Sequence, residues 1–343
     1  MFNYSLRKLG LALGILGLAG MASAQVIVST AYVQDALKRN VQVWDVRADK
    51  DYAKAHLTGA LTIGDAATAL RDANAEDFLK PEDVAKVLGA AGIDPAKETI
   101  VYGTRGTWNP YFGRYALRYF GGSKVSVYHD GLEAWQAAGL PVETGAAKAT
   151  TPIKLTLKAN PSLAVSTQEV IDRLNRSDVQ IVDARTPKEF AGADIRALRG
   201  GNIPGSVNIP YEMNWSDPET MSKLARKVVT DNSGMVLKAN DDLKALYAKL
   251  DPNKETVVYC QSGARASETA GVLEQLGFKN VKVYDSSWLA YGNKLDAPAN
   301  NATVFNVGAL NGRIAGMQAH RNIGERTRRC EETKLMLCIA ILL

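Results

Sequence analysis

The sequence predicts an α/β protein with two similar domains, each a small parallel β-sheet flanked by helices. Two observations predict this fold class. Short apolar strand patterns alternate with amphipathic helical stretches, and one such strand–helix unit occurs twice along the chain. The chain has 343 residues, of which 46% are hydrophobic and 22% are charged, and this is enough for two domains with cores of their own.

The repeated unit begins with a helical stretch and continues with a strand that ends in Asp-x-Arg. In the first copy these are residues 30–38 and 41–47, and in the second they are residues 166–174 and 179–185. Two more strand patterns match, at residues 98–102 and 125–128 in the first copy and at residues 255–259 and 281–284 in the second. Because helices lie between these strands, each copy is expected to form a parallel sheet.

The repeat and the local composition divide the chain into five segments. A stretch rich in Ala, Thr, Lys and Pro is interpreted as the linker between the two copies. The segments are a signal peptide at 1–24, a first domain at 25–142, the linker at 143–163, a second domain at 164–300 and a C-terminal tail at 301–343, helical at first and irregular after that.

The N-terminus has the pattern of a secretory signal peptide. Arg7 and Lys8 precede an apolar segment at 9–19, and Ala22-Ser23-Ala24 is a small-residue cleavage site, so the mature chain is expected to begin at Gln25. An uncleaved membrane anchor is the alternative, but the apolar segment is short for a membrane span. We therefore expect export to a bacterial periplasm, with membrane contact only through the signal peptide before its cleavage.

The most informative segment of the sequence is Cys260-Gln261-Ser262-Gly263-Ala264-Arg265. It follows a strand pattern and precedes a helical stretch whose apolar positions are Ala270, Leu273, Leu276 and Phe278. A thiol in such a loop lies among backbone N–H groups at the positive end of a helix dipole, and this stabilises a thiolate and any anion attached to it. The corresponding residue of the first copy is Gly103, so that copy lacks the nucleophile, and its loop at 103–108 is expected to pack against the second domain.

Cysteine usage favours a reactive role for Cys260. An exported protein meets an oxidising compartment, where cysteines normally pair. If Cys330 and Cys338 pair with each other, Cys260 is left as a free thiol, and a buried inert cysteine is the alternative interpretation.

Charge and histidine content argue against several other functions. The net charge of +5 is scattered and there is no basic stripe with interleaved aromatic residues, so no nucleic-acid partner is expected. The three histidines, His56, His129 and His320, all lie far from Cys260 in sequence, which argues against a Cys/His protease pair and against a metal site. No cofactor is expected.

Taken together, these residues resemble the rhodanese family, specifically the tandem-domain thiosulfate and 3-mercaptopyruvate sulfurtransferases. The resemblance covers residues 26–293, and its motifs are residues 183–185, residues 202–210, the Cys260 loop and residues 284–288. It implies two tandem rhodanese-like domains, of which the first is inactive and the second is catalytic.

The resemblance also implies a chemistry: transfer of sulfane sulfur from a small anionic donor to a thiophilic acceptor such as cyanide or a thiol, through a persulfide on Cys260. The residues expected to bind the donor and the persulfide are Arg185, Gln261, Ser262, Gly263, Ala264 and Arg265. Both arginines also have a purely structural interpretation. Arg265 could form an ion pair with Glu268, and Arg185 could form one with Asp183 or Glu189.

The identity of the sulfur donor stays open because the second domain departs from both the thiosulfate-specific and the mercaptopyruvate types of loop. Gln261 and Ser262 stand where thiosulfate-specific loops often carry basic residues, whereas Arg265 departs from the mercaptopyruvate type of loop. Asn202 replaces the histidine that commonly precedes Ile-Pro-Gly, and an insertion between Phe190 and Gly201 carries Arg196 and Arg199.

Two other functions remain as alternatives. Phosphatases and arsenate reductases of the Cys-x5-Arg type have five residues between cysteine and arginine. Here four residues separate Cys260 from Arg265, which makes a smaller anion pocket. The second alternative is a periplasmic sulfur carrier that hands persulfide sulfur to a partner protein, since the sequence identifies a nucleophile and not its acceptor.

Overall fold

The computed structural model describes residues 25–72 and 77–304. The expected signal peptide, Cys330, Cys338 and most of the expected tail therefore lie outside the described residues. Within those residues the chain forms two tandem α/β domains, as the sequence predicts. Among the same residues, no helix is long and apolar enough to cross a membrane.

Outside residues 73–76, which are not described, the first domain contains six strands and six helices. The strands are Gln42–Asp45 (β1), His56–Leu57 (β2), Leu61–Thr62 (β3), Thr99–Tyr102 (β4), Val125–Tyr128 (β5) and Val142–Glu143 (β6). The helices are Thr30–Lys38 (α1), Asp49–Lys54 (α2), Ala66–Ala69 (α3), Pro81–Ala90 (α4), Asn109–Tyr119 (α5) and Gly131–Ala137 (α6).

The second domain repeats this plan. Its strands are Val179–Asp183 (β7), Arg199–Asn202 (β8), Ser206–Asn208 (β9), Glu255–Tyr259 (β10), Asn280–Val283 (β11) and Asn300–Val304 (β12). Its helices are Thr167–Arg173 (α7), Pro187–Phe190 (α8), Thr220–Ala225 (α9), Asn240–Leu246 (α10), Ala264–Gln275 (α11) and Ser287–Asn293 (α12), and short 3₁₀ turns include Tyr211–Asn214 and Ser233–Met235.

Each domain contains a four-stranded parallel sheet with the same spatial order. That order is β3-β1-β4-β5 in the first domain and β9-β7-β10-β11 in the second. Equivalent side-chain hydrogen bonds recur in both sheets, at distances between 2.7 and 2.8 Å; they join Gln42 to Thr99, Gln180 to Thr256, Thr30 to Tyr128 and Thr167 to Tyr284. The internal repeat seen in the sequence is therefore a repeat of structure, down to single contacts.

Two sequence-based boundaries differ from the structure. Helix α11 ends at Gln275, so Phe278 packs from beyond the helix and not along it. The segment interpreted as a tail begins inside β12, which pairs antiparallel with β8 of the second domain. Part of the linker lies along the first domain, where the N–H of Ile153 donates to the Gly89 carbonyl at 2.9 Å.

The two domains pack closely against each other. Glu274 of α11 accepts hydrogen bonds of 2.6 Å from Arg114 and from Arg118, both of α5. The loop at 103–108 contacts the second domain as expected, because the Asn232 amide donates to the Arg105 carbonyl at 3.3 Å and a Cβ added to Gly106 would collide with Met235. The first domain, which has Gly103 at the position of Cys260, therefore forms one side of a shared interface.

Candidate active site

Cys260 lies directly after β10, a central strand of the second sheet, and directly before the turn into α11. This is the carboxyl end of a parallel sheet, where α/β proteins place their ligands. The side chain is buried, with 1% of the residue exposed, and it has no disulfide partner among the described residues. The predicted strand–cysteine–turn–helix arrangement is confirmed.

Gly263 makes the turn between Cys260 and the helix. Its φ of +76° is in the left-handed region, which glycine adopts without the steric cost that a side chain would add. Helix α11 has 12 residues and begins at Ala264, so its first-turn amides have no partner within the helix and carry the positive end of its dipole. These amides are the groups that the sequence assigns to anion binding.

The Ser287 side chain supports the Cys260 loop, and the sequence analysis did not predict this role. Its Oγ accepts the N–H of Cys260 and the N–H of Gly263, each at 3.0 Å, and donates to the Tyr284 carbonyl at 2.6 Å. Its backbone φ is +51°, which is unusual for a residue other than glycine. One hydroxyl thus fixes both ends of the turn.

The first domain shows what Ser287 replaces. Its equivalent residue there is Gly131, with φ of +59°, and in both copies the next N–H closes the same hydrogen bond: Leu132 to the Gly103 carbonyl at 3.1 Å, and Trp288 to the Cys260 carbonyl at 3.0 Å. A serine in one copy opposite a glycine in the other was the available sequence signal. It becomes visible once the two copies are aligned residue by residue.

Arg265 is held by Glu189 and not by Glu268. Its two terminal nitrogens donate to the two carboxylate oxygens of Glu189, each at 2.8 Å, in a bidentate pair. Burial favours the protonated form of Glu189, but the hydrogen bonds and charge of Arg265 outweigh it and lower the pKa of Glu189 to about 2. The alternative ion pair with Glu268 does not form, and Glu268 accepts a hydrogen bond from the Trp215 indole instead.

Arg185 occupies the structural alternative that the sequence left open. Its guanidinium donates to both oxygens of Asp183, at distances from 2.6 to 3.1 Å, and to the Gly201 carbonyl at 2.7 Å. The residue is 1% exposed and lies over the Trp288 ring. In the copy without a thiol, Arg47 makes the same contacts to Asp45 and to the Ala55 carbonyl. Arg185 therefore forms the ion pair with Asp183 that the sequence left open, and its binding to the donor stays a prediction.

The insertion between Phe190 and Gly201 lies against the cysteine loop. The Gln261 side-chain amide donates to the Arg196 carbonyl at 2.7 Å. The Arg196 guanidinium lies 3.4 Å from Glu189 while its side chain stays 52% exposed. Arg199 is turned away from the loop and donates to the Tyr291 and Lys294 carbonyls. Arg196 is therefore a half-exposed positive charge of the insertion that lies beside Glu189 and the cysteine loop.

Comparisons with known proteins agree with this geometry. The model of the rhodanese-like domain family matches residues 29–138 and 166–294. A thiosulfate sulfurtransferase of Corynebacterium glutamicum is 35% identical over 72% of this chain and 80% of its own length. The sulfur carrier protein TtuD of Thermus thermophilus is 28% identical over 81% of this chain and 98% of its own length.

A solved structure shares both domains. The crystal structure of SseA from Escherichia coli, described as a 3-mercaptopyruvate sulfotransferase, is 27% identical and superimposes with a TM-score of 0.63. The match covers 76% of this chain and 98% of SseA.

Proposed function

The chain belongs to the rhodanese family, and we propose that it transfers sulfane sulfur through a persulfide on Cys260. It is an enzyme of the sulfurtransferase type. The observation that carries the persulfide proposal is the position of Cys260, between the carboxyl end of β10 and the first-turn amides of α11. The structurally equivalent residue of the first domain, Gly103, has no side chain to react.

The proposed reaction has two displacement steps. In the first, the Cys260 thiolate attacks the outer sulfur of the donor and a new S–S bond forms. With thiosulfate, the donor's S–S bond breaks and its electron pair leaves with sulfite; with 3-mercaptopyruvate, the C–S bond breaks and the carbon takes the pair and a proton to give pyruvate. In the second, a thiophile attacks the outer sulfur and Cys260 leaves as a thiolate.

The loop is suited to hold the intermediate. A persulfide on Cys260 is an anion beside the start of a helix, where the dipole stabilises negative charge by about 0.3–1 kcal/mol, and by about 2 kcal/mol in a partly buried site. Burial of Cys260 excludes water, so each amide contact is worth more than it would be at the surface. We assign the loop amides between Gln261 and Arg265 to this role, other than that of Gly263, whose N–H the Ser287 hydroxyl accepts.

Recognition of the donor's anionic end is proposed for Arg265 and Arg196. Both guanidiniums contact Glu189, and Arg196 is half-exposed beside the cysteine loop. A sulfonate or carboxylate arriving there is attracted by the two guanidiniums and repelled by Glu189, whereas burial raises the pKa of the neighbouring Glu212 and so favours its neutral form. Thiosulfate is proposed as the donor, in keeping with the relative from C. glutamicum, and 3-mercaptopyruvate is the alternative donor, in keeping with SseA.

A sulfur-carrier role is the second candidate, and the likeness to TtuD favours it. The two roles differ in the acceptor. With 1% of the residue exposed, Cys260 is more accessible to cyanide or a small thiol than to the surface of a protein. Small acceptors are therefore proposed as the substrates of the second step.

The place of action is proposed to be the periplasm. The proposal rests on the basic start, the apolar segment and the small-residue cleavage site that precede Gln25. N-terminal sequencing of protein recovered from the periplasmic fraction should begin at Gln25, whereas recovery of the intact N-terminus from the cytosol would refute export.

The decisive experiment is intact-mass spectrometry of the mature protein and of Cys260→Ser after separate incubation with thiosulfate and with 3-mercaptopyruvate. Wild-type protein should gain about 32 Da, one sulfur atom, and the variant should gain nothing. The faster donor identifies the natural substrate class. Equal gains in both proteins, or no gain with either donor, would refute a persulfide formed on Cys260 from these donors.

A further inference from the structure

One arginine of the non-catalytic domain contacts the cysteine loop. Arg71 lies just after α3, and 5% of it is exposed. Its Nη1 donates to the Ser262 carbonyl and its Nη2 donates to the Asp285 carboxylate, both in the second domain. Its guanidinium lies 4.6 Å from the centre of the Phe112 ring. The side chain is therefore held between the two domains.

The contact to Ser262 restrains one particular peptide group. The Ser262 carbonyl and the Gly263 N–H belong to the same planar peptide. Arg71 binds the oxygen end of this peptide, and the Ser287 hydroxyl accepts its N–H at 3.0 Å. The peptide is thus fixed from the first domain on one side and from the second domain on the other.

This peptide needs such a restraint because Gly263 follows it. Glycine populates positive and negative φ almost equally, so a peptide next to it rotates more easily than others do. Rotation would turn the Ser262 carbonyl oxygen towards the Ser287 hydroxyl, on the side of the loop where the Cys260 N–H lies, and the Gly263 N–H away from Ser287. A carbonyl oxygen facing an anionic sulfur is repulsive, whereas an N–H is attractive.

We propose that Arg71 is a positioning residue, which holds the Ser262–Gly263 peptide in the orientation that lets the Cys260 loop stabilise an anionic sulfur. The inference rests on the proposed persulfide chemistry and adds a role for the first domain. Arg71 acts through the loop and does not contact the donor. Asp285 balances its buried charge, so the interdomain ion pair and the loop contact form together.

The test compares four variants of the full mature chain: Arg71→Ala, Arg71→Lys, Arg71→Ala combined with Asp285→Asn, and the control Arg118→Ala. The control removes an interdomain ion pair with Glu274 and leaves the cysteine loop untouched. The combined variant avoids leaving Asp285 as a buried charge without its partner. The rate constant of sulfur uptake is measured against donor concentration, and circular dichroism checks that each variant is folded.

In Arg71→Ala the rate constant at saturating donor should fall by about 10- to 100-fold, while the half-saturating donor concentration stays within about twofold. Arg71→Lys should recover part of the rate, and Arg118→Ala should keep the wild-type rate. The combined variant should stay slow although folded. A wild-type rate in Arg71→Ala, an equal loss in Arg118→Ala, or recovery in the combined variant would each overturn the proposal.

A second readout separates this inference from the proposed function. The rate of Cys260 alkylation by iodoacetamide at pH 7 requires no sulfur donor, and it should fall at least about threefold in Arg71→Ala, since the thiolate loses part of its support. If wild-type protein accepts no sulfur, the persulfide proposal fails, and this readout still decides the role of Arg71. An unchanged alkylation rate would then refute it.

Discussion

Ser287 combines a strained backbone with a contact that no glycine could make. A residue other than glycine at φ of +51° carries a cost of roughly 1 kcal/mol, and such residues concentrate at functional sites. In return, its hydroxyl accepts the amides of Cys260 and Gly263. The first domain has no thiol to support and keeps Gly131 in the same conformation.

Replacing Ser287 by glycine should therefore separate stability from activity. Ser287→Gly removes the backbone strain but also the shared acceptor, so we expect an unchanged or slightly higher Tm together with a loss of about tenfold or more in the rate of sulfur uptake. Ser287→Ala keeps the strain and loses the hydrogen bonds, so its Tm should fall. The measurements are thermal melts and stopped-flow kinetics on the three proteins, and full activity in Ser287→Gly would contradict the role assigned to the hydroxyl.

Among single residues, the sequence predicts those whose role depends on their immediate neighbours in the chain. Cys260 and Gly263 are identified by their neighbours, because the loop and the start of its helix are continuous in the chain. Arg185 is ambiguous, since Asp183 lies only two residues away and an anionic ligand would be equally attractive to it. Arg71 is not predictable, because 191 residues separate it from Ser262 and only the packing of the domains brings them together.

Between elements, the bidentate pair of Glu189 and Arg265 joins α8 to α11 beside the site. Glu189 also takes part in the capping box of its own helix, because its carboxylate accepts a hydrogen bond of 2.9 Å from the Thr186 hydroxyl. The pair therefore stabilises the relative position of two helices as well as the orientation of the Arg265 guanidinium. This gives the carboxylate a measurable role in stability.

The pH dependence of unfolding should report this pair. The folded-state pKa of Glu189 is about 2, below its usual 4.5, so the stabilisation is complete above pH 4.5 and is lost as the pH falls towards 2. The corresponding loss in free energy of unfolding is up to roughly 3 kcal/mol. Denaturant melts between pH 2.5 and 6 should show a shallower acid loss for Glu189→Gln than for wild type. The exposed Glu219→Gln is the matched control, and identical slopes in all three proteins would refute the assignment.

The elements with strong local signals are the ones that the sequence predicts well. Helix α1 matches its predicted bounds because Ser29 caps it, with its hydroxyl accepting the Tyr32 N–H. The antiparallel pair β8 and β12 is missed. Strand β8 contains two glycines and β12 is exposed and rich in asparagine, so neither has the apolar alternation that marks a strand.

For the whole molecule, the sequence predicts two domains and their repeat, but not how closely they are joined. Besides one cluster within each domain, a hydrophobic cluster shared by both includes Trp44 and Phe112 of the first domain and Val182, Val258 and Cys260 of the second. Amphipathic patterns tell which face of an element is buried and not which partner covers it. The choice between separate cores and a shared core therefore depends on tertiary packing.

This shared core has a thermodynamic consequence. Because neither half can lose its structure without exposing apolar surface of the other, the heat-capacity trace of the protein should contain one unfolding peak, with equal calorimetric and van't Hoff enthalpies. Two resolved peaks in differential scanning calorimetry would contradict this. With one transition, a destabilising substitution in the first domain, on the side remote from Cys260, should lower the temperature at which activity is lost and the temperature of the unfolding peak by the same number of degrees.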